Sequence, residues 1–389
     1  MIRSLMIKTF FKTSILLFLI IATTCHLYSQ RLRDYGIIPG IFKTGKENAI
    51  TDVEGVTVGH VTCIVADSIR TGVTAIVPHQ GNIFRNKVPA AIYSGNGFGK
   101  LTGYTQVQEL GNIETPIILT NTLSVAAGLD GLITYTLQQP GNENVRSVNG
   151  IVGETNDSQL NKITARYIKP HMVVEAIKNA KSGPVEEGAV GAGTGTSAFG
   201  FKGGIGTSSR VLPKSLGGYT VGVLVQTNYG GVLEIAGVPV GPLLEKYSFK
   251  NSVLQDVDGS CMIVVITDAP VDARNLERMA KRAMFGIAKT GGIASNGSGD
   301  YVIALSVCPD NLVQEEGALY TSSVLHNGDM SPLFLATIEA TAEALWNSLF
   351  MARTTKGYEG KIVPQIPVDE VVKMLKQSRY FEQTLNITK

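Results

Sequence analysis

The sequence predicts an α/β layered protein on two observations: short β-rich runs closed by glycine-bearing turns, and helical stretches of marked apolar patterning between them. The runs are GVTVGHVTCIV (55–65), GVTAIVP (72–78), TPIILTNT (115–122), YTVGVLVQTN (219–228), SCMIVVITDAP (260–270) and DYVIALSV (300–307). Residues 272–289 repeat at the helical period. Leu276, Met279, Ala280, Ala283, Met284 and Ile287 share one face, and Arg274, Glu277, Arg278, Lys281 and Arg282 cover the other. Asp272 is the expected N-cap of this helix and Gly291 its expected stop. A second helix, about 333–351, is apolar nearly all round and belongs between layers. With no internal repeat and no Pro/Ser linker, residues 30–389 read as one large domain.

Composition narrows the function. A 44% hydrophobic content over 389 residues supports a large core, and a net charge of +2 without any Lys/Arg cluster among aromatics excludes a nucleic-acid face. Arg3, Lys8 and Lys12 precede SILLFLIIA (14–22), and Ser29 offers a small residue before Gln30. Residues 1–29 therefore read as a secretory signal peptide, and the protein as exported, periplasmic or extracellular. The apolar stretch is short for a stable membrane insertion. Cys25 raises lipoprotein processing as an alternative, against which stands the bulk of Thr24. Removing the leader leaves Cys63, Cys261 and Cys308, enough for at most one disulfide. Five scattered histidines, with no H-E-x-x-H and no Cys-x-x-Cys, give no support to a metal site, and nothing calls for a cofactor.

The glycine-rich run GAVGAGTGTSAFGFKGGIGTSSR (188–210) lacks both the G-K-S/T close of a Walker loop and a flanked G-x-G-x-x-G, so it reads as close backbone packing beside a strand or a site wall. No serine sits in G-x-S-x-G; Ser197 and Ser298 each miss a required glycine. DVDGSCMIVVITDAP (256–270) is more informative, because it places Gly259 and Ser260 at the mouth of an apolar strand. Alternation points Ser260 one way and Cys261 the other, and one of them faces a site. The plain alternative is a turn before a strand. The chemical reading is that the Ser260 hydroxyl attacks the Gly259 carbonyl, an unhindered position where glycine tolerates strain. The resulting ester is then cleaved by water. That frees an α-amine with a reference pKa of about 7.7–8.0, so nucleophile and base share one residue.

These residues carry a resemblance. NAITDVEGVTVGH (48–60), GNGFGKLTG (95–103), PIILTNTLSV (116–125), GETND (153–157), the glycine-rich run 188–210, VQTNYG (225–230), the DGS and TDAP of 258–270, and SNGSGDYVIA (295–304) stand in order. In them the chain resembles the L-aminopeptidase D-esterase/amidases and β-peptidyl aminopeptidases, autoprocessed N-terminal-serine hydrolases. The resemblance implies a four-layer αββα sandwich, layered like the N-terminal-nucleophile hydrolases but connected differently. It implies self-cleavage into an α chain of 30–259 and a β chain of 260–389, Ser260 as nucleophile, and Asn228 as oxyanion donor. Ser298 and Asp300 match a pair that hydrogen-bonds around the nucleophile; some relatives have Glu for Asp300, whose carboxylate reaches less far, and because a carboxylate beside a free amine raises its pKa and so counts against a strong base, the role expected is positional. Glu154 matches the carboxylate that holds a substrate's free amine, although from its neighbours alone it reads as a surface residue after a turn. Asn156 stands where some relatives carry an aromatic, which makes the pocket more open or more polar.

The expected activity is removal of N-terminal residues, L-, D- or β-, from short peptides or aminoacyl amides and esters, by a homo-oligomer of αβ units with no cofactor. A self-cleaving acyltransferase of the ornithine acetyltransferase type, which uses threonine in the cytoplasm, is the competing enzyme. A catalytically inactive binding protein of the same fold is the competing non-enzyme. The purified protein is expected to run as two fragments on a denaturing gel, the smaller beginning at Ser260, and Ser260→Ala as one chain. A single-chain wild type that is nonetheless active rejects the mechanism.

Overall fold

The computed structural model describes residues 30–250, 259–314 and 318–378. The signal-peptide reading of 1–29 lies outside them. From Arg31 on, the described residues form one compact unit. Its nine longer strands are β1 (Thr57–Val65), β2 (Ile69–Val77), β3 (Asn86–Gly97), β4 (Ile117–Asn121), β5 (Ile151–Thr155), β6 (Ile205–Val211), β7 (Thr220–Asn228), β8 (Gly259–Thr267) and β9 (Ser298–Ser306). Four helices cover them: α1 (Val125–Leu137), α2 (Pro170–Lys178), α3 (Ala273–Lys289) and α4 (Ser331–Phe350).

The strands make two sheets, in the orders β1-β2-β4-β5 and β3-β9-β8-β7-β6, with two-residue strands Asn112–Ile113 and Val313–Gln314 pairing along β3. Alternation along β8 shows the layering. Cys261, Ile263 and Val265 pack with Leu276, Met279 and Leu345 of α3 and α4. Met262, Val264 and Ile266 pack into the gap between the sheets, in the same core as Ile118 and Val152 of the first sheet and Leu132 and Val173 of α1 and α2. The order of layers is therefore α1/α2, first sheet, second sheet, α3/α4, the four-layer αββα sandwich that the resemblance implies.

Local chemistry sets the elements. The Asp272 side chain accepts from the Asn275 N–H, capping α3, and Gly291 beyond its end takes a φ of 84°. The helix α4 is buried along nearly its whole length, as its apolar circumference requires. The glycine-rich run serves close packing: a Cβ on Gly206 would lie 2.0 Å from the Ala344 carbonyl oxygen, so only glycine lets α4 rest on β6. Gly204 likewise faces the Gly188 carbonyl, 1.9 Å from where a Cβ would stand.

A buried charge cluster joins β6, α4 and the N-terminal segment. Arg210, fully buried, meets Glu339 at 3.0 Å and Glu343 at 2.7 Å; Arg33 meets Glu343 at 2.6 Å, and Asn48 Nδ2 donates to Glu343 at 2.7 Å. Burial alone would raise Glu343, but Arg210, Arg33 and Asn48 hold it below its ordinary range. Removing one partner leaves uncompensated buried charge. Glu343→Ala is thus expected to cost about 3–5 kcal/mol in urea unfolding, whereas Asp272→Ala, which removes a cap, should cost about 1 kcal/mol.

Candidate active site

Three strand ends meet at one edge of the second sheet. β7 runs antiparallel to β8, so its last residue, Asn228, lies opposite Ser260; β9 runs parallel to β8, so its first residue, Ser298, lies beside Gly259. The first sheet adds the end of β5 across the gap, where Thr120 pairs with Glu154. Ser260 shares the inward face of Met262 and is 5% exposed, so it is the serine, and not the buried Cys261, that faces the cavity at the mouth of the inter-sheet gap. That cavity is about 470 Å³ and is walled by Ser260, Glu154, Asn156, Asn228, Phe98 and Lys246 among others.

Two donors converge on Ser260. Asn228 Nδ2 lies 3.3 Å from its Oγ, and the backbone N–H of Asn156 lies 3.4 Å from it. Both contacts are long for a resting hydrogen bond, and both donors flank the place where an attacked carbonyl would develop negative charge. Asn228 cannot turn freely, because its Oδ1 accepts the Ser197 N–H at 3.2 Å. One inward position deeper, Gln226 Nε2 donates to Thr155 Oγ1 at 2.7 Å, Ala192 O at 2.9 Å and Thr120 O at 3.0 Å, tying the two sheets together beneath the site. The side chain of Asn156 is exposed and turned to its own loop, its Oδ1 accepting the Ser158 N–H at 3.0 Å; what it brings to Ser260 is the main-chain N–H.

Gly259 has a spatial reason. A Cβ there would stand 3.0 Å from Ser298 Oγ and 3.3 Å from the Cβ of Tyr229, in the space the Ser298 hydroxyl borders. Ser298 donates to Asp300 Oδ1 at 2.9 Å. Both alternate with Val302 on the α3/α4 face, so they underlie the main chain of Gly259–Cys261 while the Ser260 hydroxyl lies on the opposite face. Burial pushes Asp300 up to about 6, against the pull of the Ser298 hydroxyl and the Cys261 N–H.

Glu154 is not the surface carboxylate its neighbours suggested. It is 4% exposed and lies inside β5, because GETND, which reads as a turn, continues the strand through Thr155. Its Oε1 accepts the Lys100 N–H at 3.0 Å and faces Lys100 Nζ at 3.6 Å, and its Oε2 accepts the Thr122 hydroxyl. Two positioning groups escaped sequence reasoning, Gln226 and Lys202. Lys202 is fully buried and donates to Gly203 O at 2.7 Å, Thr196 O at 2.8 Å and Gly193 O at 2.9 Å, fixing the loop that carries Ser197. Burial lowers it to about 7, opposed by the charge of Asp157. Among the described residues, no group of His, Cys, Asp and Glu is arranged to hold a metal ion.

Residues 48–363 match the model of peptidase family S58. The chain belongs to that family. It is 37% identical over 384 residues to the beta-peptidyl aminopeptidase BapA of Sphingosinicella microcystinivorans, covering 93% of this chain and 96% of that one. Among solved structures it is similar to a Burkholderia sp. beta-aminopeptidase, with 36% identity, a TM-score of 0.82, and coverage of 90% and 99% of the two chains. It is also similar to the L-aminopeptidase D-Ala-esterase/amidase of Ochrobactrum anthropi, described as a variant among the Ntn hydrolase fold, with 32% identity, a TM-score of 0.81, and coverage of 89% and 98%. As a member of family S58 the protein is a hydrolase, a serine aminopeptidase of the N-terminal-nucleophile class.

Two outcomes follow from the geometry. Asn228→Ala, which removes one of the two donors that converge on Ser260, is expected to lower kcat about 10²–10³-fold with little change in KM. Asp300 is protonated more readily folded than unfolded, so its stabilising contribution is present below about pH 4 and is lost as pH rises through about 6. The stability of wild type relative to Asp300→Asn should therefore fall by roughly 2 kcal/mol between pH 4 and pH 7 in urea titrations.

Proposed function

We propose that the protein is an exported aminopeptidase that removes N-terminal residues from short peptides, aminoacyl amides or esters through a seryl acyl-enzyme. In this reading the Ser260 Oγ first attacks the Gly259 carbonyl, the peptide nitrogen leaves as the amine of Ser260, and water hydrolyses the ester to free the Gly259 carboxylate. The new amine then takes the proton of its own hydroxyl as Oγ attacks a substrate carbonyl. Asn228 Nδ2 and the Asn156 N–H hold the oxyanion, the proton passes to the departing amine, and water resolves the acyl-enzyme. Ser298 and Asp300, beneath the main chain of Ser260, orient the liberated amine. The names of the relatives support aminopeptidase chemistry on α- or β-amino acids and, for one of them, D-alanyl esters and amides. The working form in this reading is a homo-oligomer of αβ units.

The observation that carries the reading is the buried carboxylate of Glu154 in the same cavity as Ser260 and its two donors. The carboxylate already faces Lys100 Nζ at 3.6 Å, on a half-exposed side chain that can yield, and the further cation an aminopeptidase must bring to a buried carboxylate is its substrate's ammonium. Purified cleaved enzyme, assayed on L-, D- and β-aminoacyl p-nitroanilides and on their N-acetylated forms, is expected to hydrolyse only substrates with a free amine. Glu154→Gln should raise KM for these at least tenfold. Equal turnover of the acetylated substrates would remove the aminopeptidase assignment.

A further inference from the structure

Lys246 stands on the wall of the cavity that holds Ser260 and Glu154. Its place in the fold is opposite that of Glu154. The Glu154 carboxylate lies on the β9 and β3 side of Ser260: it accepts the Lys100 N–H, and Gly99, where a Cβ would be 3.3 Å from Glu154 Oε1, abuts Gly299 of β9. Lys246 lies on the β7 side. Its Nζ sits 4.0 Å from the centroid of the Phe201 ring, and its stem passes Gly200, where a Cβ would come 2.7 Å from Cε. Gly200 and Phe201 belong to the hairpin Ser197–Lys202, which is tied to the end of β7 by Ser197 N–H to Asn228 Oδ1 at 3.2 Å and Phe199 N–H to Tyr229 O at 2.8 Å. Because β8 runs between β9 and β7, Ser260 has the Glu154 carboxylate, with the half-exposed Lys100 Nζ 3.6 Å from it, on one side and the Lys246 ammonium on the other.

The ammonium is partly withdrawn from water, which lowers its pKa, and it pairs with no carboxylate among the described residues. A glycine at 200 in the left-handed region, φ 75°, gives its stem room beside the ring. An ammonium so placed favours an anion from outside the chain. The sequence of charges across the cavity, carboxylate, nucleophile, ammonium, is the mirror of a short peptide's own: ammonium, scissile carbonyl, C-terminal carboxylate.

We propose that Lys246 receives the free carboxylate of the leaving residue, so that zwitterionic short peptides, dipeptides first, are the preferred substrate class. This rests on the aminopeptidase reading of the same cavity. Lys246 acts here in binding and takes no part in the bond-breaking steps.

The test compares a dipeptide with a free C-terminus, the same dipeptide as its C-terminal amide, and the aminoacyl p-nitroanilide of its first residue, on cleaved enzyme. Wild type is expected to prefer the free acid over the amide about tenfold or more in kcat/KM, mostly through KM. Lys246→Met should bring that ratio close to one, Lys246→Glu should invert it, and Lys246→Arg should keep it. A wild type that does not distinguish acid from amide overturns the proposal alone, as does a ratio that survives Lys246→Met or collapses instead in Lys100→Met. Failure to cleave any of the three substrates sinks the aminopeptidase reading and the proposal with it. Should Lys246→Met prove insoluble, product inhibition of wild type decides: the free amino acid must inhibit at lower concentration than its amide, and equal inhibition overturns the assignment.

Discussion

Everything at this site depends on the register of β8 between its two neighbours. Asn228 lies opposite Ser260 and Ser298 beside Gly259 because an antiparallel strand ends where two parallel ones begin. A slip of one residue would turn Ser260 toward α3 and α4 and send Cys261 into the cavity, since side chains alternate strictly. Both faces of β8 are apolar, so hydrophobicity alone does not forbid the slip. Polar partners do: Ser298 and Asp300 beneath the main chain, Gln226 bridging the sheets, and the Thr267 hydroxyl on Thr220 O at 2.8 Å all belong to one alignment. Losing such buried pairings leaves unsatisfied groups at about 1–3 kcal/mol each.

The same polar framework explains how a cavity between two greasy sheets can be charged. Lys202 and Asp157 are buried behind the two donors that converge on Ser260, the lysine holding the loop of Ser197 and the aspartate the turn after Asn156 through its carbonyl to the N–H groups of Leu160 and Asn161. Burial raises Asp157 to about 6 and lowers Lys202 to about 7, each in the direction that disfavours its charged form. Charge is kept only where hydrogen bonds surround it. At the cavity wall the rule relaxes: Glu154 keeps its charge among the Lys100 N–H, the Thr122 hydroxyl and Lys100 Nζ, and Lys246 keeps its ammonium over the Phe201 ring.

The strands named from their apolar runs are present as β1, β2, β4, β7, β8 and β9, and α3 and α4 lie where their patterns put them. β3, β5 and β6 were not legible. β3 contains Pro89, Ala90 and Ala91 and ends in glycines; β5 runs into GETND, whose residues favour turns; β6 carries Thr207, Ser208, Ser209 and Arg210, all buried. Each breaks the local rule that strands are β-branched and apolar inside, and each is repaired by a partner far along the chain, as Arg210 is by Glu339 and Glu343. Glu154 was misjudged from its neighbours for the same reason.

From the chain alone one could determine the layered α/β class, the helix ends at Asp272 and Gly291, and the pairing of a glycine with a serine at a strand start, because these rest on interactions between neighbours in sequence. Which of Ser260 and Cys261 meets the cavity, that Glu154 is buried there, that the main-chain N–H of Asn156 joins Asn228, and that Lys246 stands across from Glu154 were decided only by the packing of the sheets. These facts depend on register and on contacts across more than a hundred residues in several cases, Asn156 to Ser260 among them. No periodicity within a strand encodes which of two apolar faces will be turned toward the other sheet.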